Sequence, residues 1–393
     1  MVVRLQVTID LVTGQQKDNM QPEGAKEKIR EIARSAGIHG TGFTHAAPLA
    51  ETRERLDEAI AAGYIPPGSI PGKRTLERLV DPALRLKTAR SVVTAYLSYY
   101  TGEVPPDEPG TGIIAPYTRA NYYGEIKLRL AEVAAAMEDE FGAISRVSSN
   151  YVTLAEKPLA ARSGLGFYGK NGIIISPRHG SYVVLGEIVT DLEIEPDRPL
   201  ETNCGQCAAC MKACPTGAIE KPGRVNRGKC IQYLGERRGT VPYPMRETWG
   251  NRLYGCSTCQ DVCPFNRDIP AAAPQSPCAH VGASVSLEEV IRMGDKDFAR
   301  KFDGNQIGMR ERNVIRRNAI IAAGSSGATG LAGRVEACFN DPDPMIRGHA
   351  VWAFARLRGP EAGPSIERVL RSEWDPDVRS EAERTLDSDP GLV

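Results

Sequence analysis

The sequence predicts an α+β protein built in three parts, and three observations predict it. Helical and strand periodicities alternate over roughly the first 190 residues. Eight of the ten cysteines fall between Cys204 and Cys263, and an Asp-Pro-x-x-Arg unit at Asp343 to Arg347 recurs 32 residues on, at Asp375 to Arg379. At 393 residues the chain exceeds one ordinary core, because single cores stop growing at about 250–300 residues.

In the first part, Ile29, Ile32 and Ala33 share one face of a helix over 24–36 that stops at Gly37, a residue suited to a left-handed C′ position. Residues 51–62 read as a second helix. Val92 to Tyr99, rich in β-branched and aromatic residues, reads as a strand, and the Pro/Gly stretch 102–116 as a loop. Residues 121–141 form a long helical pattern. Gly172 to Ser176 and Ser181 to Thr190 are apolar runs separated by Pro177 to Gly180, consistent with a hairpin or with two adjacent strands of a buried sheet.

The middle part is defined by cysteine spacing. Cys204, Cys207, Cys210 and Cys214-Pro215 make the C-x2-C-x2-C-x3-C-P run of bacterial ferredoxins, whose fourth cysteine ligates the other cluster. A second run, Cys256, Cys259 and Cys263-Pro264, is one cysteine short, and Cys230 makes up the number. The eight thiolates therefore divide into Cys204, Cys207, Cys210 and Cys263 for one [4Fe–4S] cluster and Cys214, Cys230, Cys256 and Cys259 for the other. A pair of four-cysteine zinc sites is the alternative, but zinc ribbons need no crossover at x3-C-P. Cys278 and Cys338 fall outside the pattern. Two such clusters conduct one electron at a time, so the rest of the chain must supply a site that uses electrons.

In the third part the two Asp-Pro-x-x-Arg units precede apolar helices, and Arg316 to Ala319 sits about one period upstream without the Asp-Pro, a pattern similar to HEAT-type repeats. From Arg310 onward there are 12 Arg, no Lys and 13 acidic residues, so only the set Arg310, Arg312, Arg316 and Arg317 looks suited to phosphate. Over the whole chain Lys+Arg and Asp+Glu both count 49, leaving no net field toward nucleic acid or a membrane. The start, MVVRLQVTIDLVTG, lacks the apolar stretch of a secretory signal. No run approaches the roughly 18 apolar residues of a membrane span. A cytoplasmic protein with no membrane partner is expected.

Taken together, Gly250 to Pro264, Cys214 to Ile219, Lys229 to Leu234, Glu156 to Ala160, Ser163 to Gly166, Gly169 to Asn171 and Gly180 to Val183 resemble the epoxyqueuosine reductase family. The resemblance implies a nitroreductase-like, cobalamin-binding domain at 1–195, a ferredoxin-like two-cluster domain at 196–270, and a linker with HEAT-like repeats at 271–393. It implies that the epoxide oxygen of epoxyqueuosine in a tRNA anticodon stem-loop is removed to give queuosine. The two electrons would come from a low-potential donor such as ferredoxin or flavodoxin, and the chain would act as a monomer. Gly166, Lys170, Asn171, Ile174 and Gln232 are the residues expected at the corrinoid, with glycine allowing close backbone approach.

Departures from the family pattern gather around one pocket. Asn150 stands where the family has an aspartate proton donor, Asn121 to Gly124 replace an Asp-Tyr-His stretch, and Leu79 replaces an arginine. An amide cannot give up a proton as a carboxylic acid does, so Asn150 is expected to orient substrate or water. Tyr117 and Tyr123 are the candidates for the proton, with Tyr122, Tyr151 and Tyr168 also available. A phenol pKa of about 10 falls when a cation stabilises the phenolate. The alternatives are a corrinoid reductase of a small epoxide or halide, and an electron-transfer protein without a corrinoid. Anaerobic reconstitution should load about eight iron per chain; Cys278→Ala and Cys338→Ala should leave that content unchanged, whereas Cys256→Ala should roughly halve it.

Overall fold

The computed structural model describes residues 24–70, 73–149, 154–273 and 278–388. In chain order the strands are β1 (Gly40–His45), β2 (Ser91–Ser98), β3 (Thr111–Ile114), β4 (Ser145–Ser148), β5 (Phe167–Tyr168), β6 (Ile174–Ile175), β7 (Val183–Thr190), β8 (Ile219–Lys221), β9 (Arg224–Val225), β10 (Arg252–Tyr254) and β11 (Ser284–Ser286).

The first part is organised by a four-stranded sheet in the order β1-β2-β7-β4, with every pairing antiparallel. All eight residues of β2 are buried, because helices cover both faces of the sheet. On one face the Tyr122–Phe141 helix lays Ile126, Leu130, Val133 and Met137 against Val93, Ala95, Leu97 and Ile188. Gly186 on β7 is required for this approach, since a Cβ there would lie 2.6 Å from Leu130 Cδ1. That helix starts where its sequence allows: the Asn121 side chain accepts from Gly124 N at 3.0 Å, capping an otherwise orphaned donor. It ends at Gly142, with φ 66°.

On the opposite face, Leu159 of the Glu156–Arg162 helix packs with Val92 and Val189, and Ala160 with Tyr96 and Leu185. The two apolar runs read from sequence at 172–176 and 181–190 do not pair with each other. Ile174–Ile175 pairs with Phe167–Tyr168 in a separate ribbon, while Val183–Thr190 enters the main sheet. The tight Ser176 to Gly180 bridge turns the chain between them.

Beyond β11 the described chain is helical, and the repeat motif has a mechanical meaning. Asp343 caps the Pro344–Arg358 helix, accepting from Met345 N at 3.0 Å. Arg347, four residues on, donates to both oxygens of Glu373 at 2.7 and 2.8 Å in the next unit. Asp375 accepts from Asp377 N and Val378 N. One period upstream, Arg316 makes the equivalent inter-unit bridge to Asp341 at 2.8 Å.

The three lengths of chain are knitted together. A second sheet, β10-β3-β11, takes one strand from each expected part. Ile231, Val241, Trp249 and Leu253 of the cysteine segment share a core with Ile315, Ile320 and Trp352 of the repeats. A buried bidentate pair closes this junction: Arg246 donates to Glu381 at 2.7 and 3.0 Å and to the Val241 carbonyl at 2.7 Å. Removing one partner of such a pair leaves a charge stranded in low dielectric. Arg246→Ala should therefore cost about 3–5 kcal/mol in urea unfolding, while the double change Arg246→Met with Glu381→Leu should recover most of it.

Candidate functional site

The eight clustered cysteines stand around two separate recesses. Cys204, Cys207, Cys210 and Cys263 line a small one with Gly169, Lys170, Asn171 and Phe265. Cys214, Cys230, Cys256 and Cys259 lie on the wall of a much larger cavity of about 960 Å³. Each cysteine that precedes a proline thus crosses to the other quartet. Among the described residues no three Cys, His, Asp or Glu side chains converge tightly enough to hold one metal ion.

Burial, followed by the neighbouring sulfurs, raises the thiol pKa of Cys210 and Cys259. Burial also raises those of Cys230 and Cys263. Four thiolates cannot share such a recess without a cationic centre, which is what an iron–sulfur cluster supplies.

The large cavity has two chemically distinct walls. On the sheet side are Tyr99, Ile173, Ile174 and Val183 to Leu185, with Glu156 and Lys157 from the start of the Glu156–Arg162 helix and Tyr117 and Tyr123 beside them. On the cysteine side are Gln232, Tyr233, Thr258 and Gln260. Its volume is at the upper end of the roughly 300–1,000 Å³ of small-molecule and cofactor sites. Lys157 is exposed on the cavity wall; desolvation by the surrounding protein lowers its pKa despite the opposing charge of Glu156, and its ammonium donates to the Gly172 carbonyl at 2.9 Å. The Tyr117 phenol oxygen is buried with no hydrogen-bond partner among the described residues. A large apolar wall with an unpaired phenol and a few amides fits a bulky, amide-bearing ligand such as a corrinoid.

Of the residues expected at a corrinoid, Asn171, Ile174 and Gln232 line this cavity. Asn171 also borders the smaller recess and donates to the Cys259 carbonyl at 3.4 Å, so it lies between the two quartets. Lys170 and Gly166 are elsewhere. The Lys170 ammonium is spent on the carbonyls of Gly205 and Cys207 at 2.7 and 2.8 Å, bracing the first cysteine loop. Gly166 lies behind the wall: a Cβ there would be 2.6 Å from Ile174 Cγ2, so its smallness serves protein packing rather than ligand approach.

Asn150 and Tyr151 lie outside the described residues. Tyr122 is buried in the sheet core and Tyr168 lies off the cavity wall. For Tyr117 and Tyr123 the expected fall in pKa is reversed. Burial raises both, and the charges nearby are carboxylates rather than cations: Glu236 acts on both, and Glu156 on Tyr123. The predicted phosphate set is corrected too. Arg317 is 1 % exposed and donates to the carbonyls of Leu234, Arg237 and Gly239. Arg316 bridges Asp341, and Arg312 reaches the Met293 carbonyl.

Arg310, read as part of the phosphate set, instead donates to the Tyr254 phenol oxygen at 2.9 Å. Sequence reasoning missed Gln260 and Lys157 as cavity residues. Their common signal is proximity to a cluster cysteine or a cavity residue in the chain or across a strand, which no periodicity reports.

Residues 203–266 match the family of 4Fe-4S double cluster binding domains, and residues 309–387 match HEAT repeats. The chain is 34% identical over 371 residues to the epoxyqueuosine reductase of Bacillus subtilis (strain 168), spanning 92% of this chain and 95% of that one. It is 32% identical over 381 residues to that of Bacillus anthracis, spanning 94% and 98%. A crystal structure of epoxyqueuosine reductase with a tRNA-Tyr epoxyqueuosine-modified stem loop superposes with a TM-score of 0.85 at 30% identity, covering 95% of this chain and 100% of the other. With a ferredoxin-like insert, a helical-repeat tail and relatives this similar over nearly the whole length, the chain belongs to the epoxyqueuosine reductase family.

Proposed function

We propose that this protein reduces the epoxide of epoxyqueuosine in a tRNA anticodon stem-loop, giving queuosine. The observation that carries the reading is the cavity itself: Cys214, Cys230, Cys256 and Cys259 lie on the same wall as Gln232, facing Tyr99, Lys157 and the apolar strand residues. Electrons that reach this quartet arrive at the wall of a half-open cavity large enough for a cofactor and the end of a substrate.

The ligand assignment follows the two quartets, Cys204, Cys207, Cys210 and Cys263 for one [4Fe–4S] cluster and the other four cysteines for the second. Ile174, Asn171 and Gln232 would hold a cobalamin against the second quartet. When bound, these groups supply one-electron transfer and low-potential cobalt chemistry. The chain's own residues bind and orient. Tyr117 brings an unpaired phenol to the cavity wall, and Lys157 places a cation on it. Arg227 on the cavity wall and Arg237 beyond it stand 5.0 and 5.1 Å from the Tyr233 ring centre, two cations offered to an anionic RNA.

The overall change consumes two electrons and two protons: the two C–O bonds of the epoxide break, a C=C bond forms and water leaves. A ferredoxin or flavodoxin is the donor class this reading requires, with the protein acting as a monomer in the cytoplasm. Among the described residues no helix is long and apolar enough to cross a membrane.

A second reading, reduction of a small epoxide or halide, is favoured by one finding, the burial of Arg316 and Arg317 away from any phosphate surface. The deciding experiment gives the cluster-loaded protein cobalamin, a chemical reductant and a synthetic stem-loop carrying epoxyqueuosine. Loss of one oxygen from the RNA, read by mass spectrometry, is the expected result. Turnover of small epoxides with untouched RNA would establish the second reading instead, and turnover of neither would overturn both.

A further inference from the structure

The two quartets differ in what lies beyond them. The second opens onto the large cavity, whereas the small recess of the first meets the protein surface. On one side of that recess Glu201, Asn203, Gly205 and Gln206 are exposed, and Cys204 and Cys207 among them are half-buried. On the other side Pro264 and Phe265 follow Cys263 directly, and both are exposed. Phe265 keeps 39% of its surface in solvent although its ring packs edge-on against Phe167 at 5.2 Å. An aromatic ring left in water at the rim of a redox site is the kind of residue that forms the centre of a protein–protein contact.

The charges around the rim say what kind of protein fits. Lys170 stands on the first cysteine loop, held by the Gly205 and Cys207 carbonyls at 2.7 and 2.8 Å. Arg178 is exposed on the Ser176 to Gly180 turn, which packs so closely on Phe265 that a Cβ at Gly180 would lie 2.7 Å from the Phe265 carbonyl oxygen. Lys212, two residues past Cys210, and Arg267, two past Phe265, are exposed as well. The carboxylates on these same stretches are Glu201 and Asp268, so four cations face two anions in a chain whose charges balance overall. The second quartet has another opening, because Cys256 also borders a separate cavity of about 720 Å³. There the balance is reversed: Glu103, Asp107, Glu108 and Asp261 stand against Arg252 and a buried Arg119.

We propose that the rim of the first quartet is the docking surface for the electron donor, and that the donor is a small, acidic, one-electron carrier protein. The inference rests on the functional reading above only in that reading's need for a donor. Pro264 and Phe265 form the apolar centre of the contact, and Lys170, Arg178, Lys212 and Arg267 steer the carrier onto it. In each encounter the carrier's reduced centre loses one electron and the cluster held by Cys204, Cys207, Cys210 and Cys263 gains it; two encounters supply one turnover. A small patch suffices, since transient electron-transfer contacts bury less than about 1,200 Å². Complementary charge acts on the rate of encounter more than on affinity, and the acidic opening beside Cys256 repels the same carrier.

The test follows cluster reduction by stopped-flow absorbance in the cluster-loaded full chain, without cobalamin or RNA, using a reduced acidic flavodoxin as the probe. At low ionic strength the double change Lys212→Glu with Arg267→Glu should slow reduction about tenfold or more, and added salt should slow wild type toward the same rate. Arg178→Glu should act in the same direction. Iron content and the extent of reduction by dithionite, which needs no docking, should be unchanged in all of them. Glu108→Lys at the other opening should stay within about twofold of wild type, the behaviour of a charge outside the contact.

A double reversal that reacts within about twofold of wild type would overturn the proposal, because steering by a complementary rim is worth more than that. A several-fold gain in Glu108→Lys would overturn it in favour of the opening beside Cys256. Conversion of the stem-loop with dithionite as reductant tests the functional reading separately. If flavodoxin behaves as expected but no RNA is converted, that reading fails and the docking surface stands. If RNA is converted with dithionite while flavodoxin fails to reduce even wild type, the docking proposal falls alone.

Discussion

Gln260 and Asn266 are buried amides in the cysteine segment, and both reach across to the backbone and hydroxyl of Ser181, at the entrance to β7. Gln260 Nε2 donates to the Ser181 carbonyl at 2.7 Å and to the Tyr99 phenol at 2.9 Å. Asn266 accepts from Ser181 N at 2.7 Å and donates to Ser181 Oγ at 2.9 Å and to the Gln260 carbonyl at 2.7 Å. From the other side, Arg317 and Asn318 donate to carbonyls at Leu234, Gly235, Arg237, Gly239 and Leu253. The segment around the first quartet has only a small apolar cluster, Phe167, Ile175 and Cys263. Its position therefore rests on these clamps. Because every buried donor and acceptor in such a network must be satisfied at once, the clamps select one placement rather than merely adding stability.

That placement makes the site. The sheet alone offers Tyr99, Ile174 and Val183 to Leu185 as an open wall, and the cysteine segment alone offers thiols with raised pKa values and no partner charge. Brought together they form a cavity with an electron source on one side and apolar contact on the other. The same packing desolvates Tyr117 and Tyr123, so their protonation is set by burial first and by nearby carboxylates second.

Parts of this were legible in the sequence because they are encoded locally. Cysteine spacings of two and three follow from the reach of a few residues around a cluster, so the quartets could be read directly. The helix at 122–141 carries its own cap and stop, and the Asp-Pro-x-x-Arg units carry theirs. What was not legible depends on distant partners. Nothing near Arg317 in the chain says that it will donate to carbonyls about 80 residues upstream, and an arginine cluster reads as a phosphate surface until those partners appear. Lys170 misleads for the same reason. Gly166 was expected to admit a ligand, but the strand beside it takes the space. Glu236 ends a helix of only 6 residues, too short for periodicity to show which face it presents.

The central claim is that one cavity joins the second cysteine quartet to a bound corrinoid. Electron paramagnetic resonance of the full-length, cluster-loaded chain with added cobalamin tests it most directly. The account predicts a protein-bound cobalt(II) signal that changes when the clusters are reduced, because cobalt and the nearer cluster share one cavity. Full cluster loading with no bound cobalt signal, or with one indifferent to the state of the clusters, would contradict it.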